Sequence, residues 1–116
     1  MLSFANGLKI FLLAEKVDLR KSFDGLHALV LNQLKEDPLS GAIFLFTNKR
    51  KNRIKILYFD GTGLWVMAKR LEQGTFYWPK QTNTNTGKVK LTPEAMTLLL
   101  DGVDLKSGTL RPWYER

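Results

Sequence analysis

The chain has no cysteine in its 116 residues and a single histidine, His27. The first absence excludes disulfides and thiolate chemistry. The second leaves zinc sites of the common Cys/His kinds without ligands. No apolar run approaches the ~18 residues that a membrane-spanning helix needs. The longest, 8–14, has no basic region before it and no cleavage pattern after it, so it reads as a strand rather than a signal peptide. A cytoplasmic chain without membrane contact is expected. Negative charge is scarce in the middle: over residues 38–93, ten Lys and Arg face only Asp60 and Glu72. That segment carries +8 while the whole chain carries +7, so the flanks together sum to −1. Low-complexity tracts and repeat periods are also missing. The length suits one core, expected as a single α+β domain over 1–104 with a tail over 105–116.

What is present is a series of short apolar runs between turn signals. Residues 8–14 are almost wholly apolar, as suits a central strand covered on both faces. Residues 43–46, 54–59, 64–68 and 75–78 are rich in β-branched and aromatic side chains and are bounded by Asn, Asp and Gly, which predicts an antiparallel meander. Residues 88–91 alternate and predict one more short strand, after a polar loop over 80–86. Ser22 is placed to cap a helix carrying Phe23, Leu26, Val30 and Leu34 on one stripe, widened by Leu29 and Leu31 and ended by Pro38. Gly25 within that helix implies close packing, since it costs about 1 kcal/mol relative to Ala. Thr92, Pro93 and Glu94 start a second helix, with Met96, Leu98, Leu99 and Leu100, that stops at Gly102. The expected class is α+β, an antiparallel meander sheet with both helices on one face.

Catalytic patterns are weak. Asp18, Asp24 and Asp60 are the carboxylates from which a metal-dependent nuclease would have to be built, yet each fits a loop, a helix first turn or a hairpin turn. His27 has no nucleophile beside it in sequence, and Gly61-Thr62-Gly63 is a hairpin turn rather than a phosphate loop. No catalytic residue, metal or cofactor is implied.

Binding is the better-supported chemistry. Lys49, Arg50, Lys51 and Arg53 fall at the tip of a predicted two-stranded ribbon, with Lys55, Lys69 and Arg70 on the strands behind it. A ribbon of this kind fits a DNA major groove, where Lys and Arg meet phosphates and Arg or Asn read base edges. Asn48 and Asn52 flank the tip as candidates for base contact. The competing structural role is a solvated tip kept charged against edge aggregation. In the 75–78 run, Phe76 and Trp78 are expected inward and Tyr77 outward.

Five runs in register carry a resemblance. They are DLRKSFDGL at 18–26, DPLSG at 37–41 leading into Phe44 and Phe46, Ile54-Lys55 followed by Asp60-Gly61, KRLEQGTFYWP at 69–79, and LLDGVD at 99–104. Their order and spacing resemble the TnpB accessory protein, the second open reading frame, of the insertion sequence 66 transposon family. The resemblance implies a protein of a bacterial mobile element that assists transposition, with DNA at the transposon ends and the element's transposase as expected partners. In such elements a separate, larger DDE-type transposase carries the strand-transfer chemistry. The matched polar residues are Asp18, Arg20, Lys21, Asp24, Lys55, Lys69 and Arg70, each able to meet DNA or to pair within the chain. Two departures stand out. Family hairpins usually have glycines and an apolar residue where this chain has Asn48, Lys51, Asn52 and Arg53, and tend to have Trp and His near Tyr58-Phe59. A second function class, an assembly module bridging the transposase to another element-encoded protein, would use exposed strand edges and the aromatic tail with Trp113 and Tyr114.

Overall fold

The computed structural model describes residues 7–80 and 87–102. The tail, with Trp113 and Tyr114, and the predicted loop beyond Lys80 fall outside the described residues. Among the described residues, five strands form one sheet: β1 Ile10–Leu13, β2 Ile43–Thr47, β3 Arg53–Phe59, β4 Leu64–Arg70 and β5 Lys88–Leu91, in the order β4-β3-β2-β1-β5. Helix α1 spans Phe23–Leu29 and runs on into a π-helical stretch, Val30–Leu34; helix α2 spans Pro93–Leu100. The class is α+β, with mostly antiparallel strands.

The meander holds for β2, β3 and β4, which pair antiparallel with Phe44 opposite Leu57 and Leu57 opposite Val66. It does not extend to β1, which lies parallel to β2 with Phe11 beside Phe44. Parallel neighbours cannot be joined by a hairpin, and α1 supplies the crossover. All four β1 residues are buried, as the unbroken apolar run required. The predicted strand at 75–78 is no strand of the sheet. Its Phe76 N–H donates to Lys51 O at 2.6 Å, and Phe76 and Trp78 plug the core while Tyr77 faces out. The fifth strand is β5, antiparallel to β1.

The helices cover opposite faces, not one. Along β1 the side chains alternate. Ile10 and Leu12 join Ile43, Leu45, Phe76, Trp78 and Leu99 of α2 in one cluster. Phe11 and Leu13 join Phe44, Phe46 and Leu57 in the other, under Leu26, Leu29, Val30 and Leu34 of the first helical segment. The crossover commits α1 to one side, and the chain leaving β5 is free to place α2 on the other. A sheet sandwiched in this way needs apolar residues on both faces, which is why β2 reads as a continuous apolar run.

Caps explain the helix limits. Thr92 accepts from Ala95 N–H at 3.1 Å, with Pro93 in the first turn, and Gly102 takes φ 80° and donates to Leu99 O at 3.0 Å. Ser22 stands at the start of α1, but its side chain makes no capping bond. The π-helical stretch stops at Lys35, which adopts the left-handed conformation at φ 56°, before Pro38 is reached. Phe23 and Leu31 are about half exposed, so the working stripe is Leu26, Leu29, Val30 and Leu34. At Gly25 a Cβ would come within 2.8 Å of the Lys21 Cβ, so the expected close approach is to the chain just before the helix.

Candidate nucleic-acid interface

The β2–β3 turn is held by its own amides. Asn48 Oδ1 accepts from the backbone N–H of Asn52 and of Arg53, both at 3.1 Å, and Asn48 Nδ2 donates to Asn52 Oδ1 at 2.8 Å. Lys51 takes φ 56° and donates its N–H to Asn48 O. The next layer is Thr47, buried, whose hydroxyl donates to Arg53 O at 2.8 Å, while Leu71 N–H donates to Asn52 O from the chain after β4. The Asn pair therefore braces the tip, with Asn48 Oδ1, Asn48 Nδ2 and Asn52 Oδ1 engaged within the turn. Pairing between neighbouring asparagines four apart was the signal available in sequence.

Beside the tip runs a groove of about 780 Å³ on the α1 side of the sheet. One wall is the 17–20 loop, anchored where Val17 N–H donates to Thr47 O at 2.9 Å and pinned at its far end where Lys55 Nζ donates to Lys21 O at 2.8 Å. The other wall is the tip and the ends of β3 and β4, and Ala68, opposite Lys55 in the ladder, adds little bulk between them. Five of the seven cations singled out on the ribbon bring their side chains to this groove: Lys49, Arg50, Arg53, Lys55 and Arg70. Lys69 borders it too, but it pairs with Ile54 of the α2-side cluster, and its side chain turns to the opposite face. Arg20, from the family motif, is the sixth cationic side chain in its lining. Lys51 is not among them.

Only two acids share the lining, and both are already paired. Asp18 takes three contacts from the Arg20 guanidinium, Nε at 3.0 Å from each carboxylate oxygen and Nη2 at 2.6 Å from Oδ2, and one from its backbone N–H at 2.9 Å. These bonds, the side-chain ones foremost, hold the Asp18 carboxyl down to about 2. The pair is solvent-exposed and contributes little to stability. Glu72 accepts from Arg70 Nε at 3.2 Å. Arg53 and Arg70 face each other directly across β3 and β4, and like charges so placed repel. Among the described residues, the Lys49, Arg50 and Arg53 side chains make no ion pair or side-chain hydrogen bond. Lys69 instead donates to Leu100 O at 2.7 Å at the end of α2. Lys55 and Lys69 thus position elements of the fold.

The remaining sequence candidates are placed apart. Lys21 and Asp24 stand at the entry of α1, exposed, with Asp24 in the first turn where it complements the helix dipole. Asp60 belongs to the β3–β4 turn: its Oδ1 accepts from Thr62 N–H, Thr62 Oγ1 and Gly63 N–H, and its Oδ2 from Trp65 Nε1 at 2.8 Å. No group of three or more possible metal ligands occurs among the described residues, nor any helix long and apolar enough to cross a membrane.

Asp60 gives a pH prediction. The backbone N–H of Thr62 and the Trp65 indole are the main donors that hold its carboxyl below the ordinary 3.8. A depressed carboxyl stabilises the fold fully above that ordinary value, and the gain is lost as pH falls toward the folded value. Asp60→Asn keeps one acceptor oxygen but presents an NH₂ to the Trp65 N–H. Thermal melts are expected to show the variant below wild type at pH 7, with the gap closing as pH drops below 3.8. A gap unchanged down to pH 2 would refute the assignment.

Residues 8–109 match the family described as IS66 Orf2 like protein. Two relatives come from Sinorhizobium fredii (strain NBRC 101917 / NGR234). The uncharacterized protein y4jC is 38% identical over 104 residues, covering 90% of this chain and 86% of its own. The uncharacterized protein y4hO is 30% identical over 114 residues, covering 97% and 96%. No solved structure matches the chain. With a match spanning nearly all of the described sheet and both helices, this chain belongs to the IS66 Orf2-like family of insertion-sequence accessory proteins.

Proposed function

We propose that the protein is a non-catalytic accessory factor of transposition that binds DNA at the element's ends through the basic groove beside the β2–β3 tip. The observation that carries this reading is the convergence of six cationic side chains, Arg20, Lys49, Arg50, Arg53, Lys55 and Arg70, on one groove whose two acids are internally paired. Three of those cations, on a turn braced by Asn48 and Asn52, have no partner among the described residues. Such a surface gains by taking up phosphates and releasing their counterions. The family places the protein in an insertion sequence, where DNA ends are the substrate shared by all the machinery. The transposase is the second expected partner, and the edge strand β4, with Trp65 about half exposed, favours an additional protein contact there.

Fluorescence anisotropy with a labelled duplex of the terminal inverted repeat, a scrambled duplex and single strands, each across a salt series, tests the proposal. Contact with ~4 to 6 phosphates predicts a log–log slope of about −4 to −5 on duplex. A preference for the true end over the scrambled duplex would define an end-binding factor. No binding by folded protein near ~0.1 M salt, where several phosphate contacts still yield measurable affinity, would overturn the proposal.

A further inference from the structure

The tip has a second basic flank. Lys51, in the left-handed conformation, is separated from its neighbours Arg50 and Arg53 and lines a different cleft, of about 420 Å³. That cleft also takes Lys16 and Lys80, with Glu15 as its single acid, against a wall of Trp78 and Pro79. The wall is rigid: Trp78 is buried and its Nε1 donates to Leu13 O at 2.9 Å, and the segment is tied to the tip by the Phe76–Lys51 backbone bond. Phe76 and Trp78 belong to the α2-side cluster, whereas Val17 and Leu19 of the first groove pack against the α1-side cluster. The two basic clefts therefore lie on opposite sides of one ribbon tip. Lys16 and Lys80 are exposed, and neither they nor Lys51 makes an ion pair or side-chain hydrogen bond among the described residues.

A single nucleic-acid strand following the first groove has no need of the second. A duplex does, because its grooves are bordered by a phosphate backbone on each side, and the major groove is wide enough for a two-stranded ribbon. We infer that Lys16, Lys51 and Lys80 form a second phosphate-binding patch, so that the tip enters the major groove with one cleft on each strand. The inference rests on the DNA-binding reading above and adds the ligand class, double-stranded DNA gripped on both backbones. It also assigns Lys16 and Lys80, which lie far from the tip in sequence, to the interface.

The test compares wild type with the triple variant Lys16→Gln, Lys51→Asn and Lys80→Gln. Asn is chosen at Lys51 because it tolerates the left-handed conformation. Circular dichroism confirms folding, and anisotropy is read on a duplex and on a single strand of the same sequence across a salt series. Loss of three phosphate contacts is expected to make the duplex slope shallower by about 2 to 3, with the single-strand slope unchanged. An unchanged duplex slope, with DNA still bound, would overturn the two-strand assignment and leave the first groove standing. Equal losses on duplex and single strand would overturn it too, by making the patch part of a one-strand track. Failure of the wild type to bind any DNA would instead remove the underlying reading.

Discussion

Replacing Lys49, Arg50 and Arg53 together with Gln is expected to lower duplex affinity on the order of 10²- to 10³-fold at ~0.1 M salt, with a salt slope shallower by about 3. The magnitude follows from counterion release, in which each phosphate contact contributes roughly tenfold at that salt concentration. The fold should survive, because these three side chains are exposed and hold nothing in place. The tip's geometry depends on Asn48, Asn52 and Thr47, which the variant keeps. Lys55 and Lys69 make poorer targets, since removing them frees Lys21 O and Leu100 O and confounds binding with structure. In cells the variant is expected to lose support of transposition. A variant that stays folded, fails to bind DNA and still supports transposition would show that the groove is not what the element uses, and would favour the assembly-module reading.

Phe44→Ala is expected to cost about 3 to 5 kcal/mol, a large share of the ~5–15 kcal/mol typical of a domain. Phe44 is fully buried on β2, the central strand of the sheet, between β3 and β1. Its ring stacks on Phe11 with centroids 5.9 Å apart and planes 18° from parallel. Phe11 in turn carries Lys88 Nζ at 5.3 Å from its ring centre, and Lys88 pairs with Glu36 at the end of the helical crossover. The cavity would therefore open where β1, β2 and β5 meet. The matched control is Phe23→Ala, a change of the same chemistry at a position 47% exposed, expected to stay within about 0.5 kcal/mol. Urea unfolding followed by tryptophan fluorescence measures both. Equal effects would mean that α1 presents Phe23 to the core after all.

Particular residues show how far the sequence reaches. The runs at 43–46, 54–59 and 64–68 became β2, β3 and β4, because hairpin neighbours are set by short turns and local alternation. Thr92, Pro93 and Gly102 bounded α2, since capping is a matter of a few adjacent backbone groups. The inward Phe76 and Trp78 followed from a period of two, even though 75–78 is not a sheet strand. Phe23 and Leu31 misled, because a helical stripe can be drawn through either without revealing which side the sheet lies on.

By itself the sequence determined the α+β class, the meander, the concentration of positive charge in the middle of the chain and the family. Each is a property of composition or of residues close together in the chain. Tertiary structure decided the rest: the parallel β1–β2 pairing, the helices on opposite faces, and the division of the basic residues between two clefts. Arg20 shares a groove with Arg50, and Lys16 shares a cleft with Lys51 and Lys80, only because Val17 is bonded to the end of β2 and the segment after β4 folds back on the tip. Those are long-range hydrogen bonds and core contacts, and no local pattern encodes them.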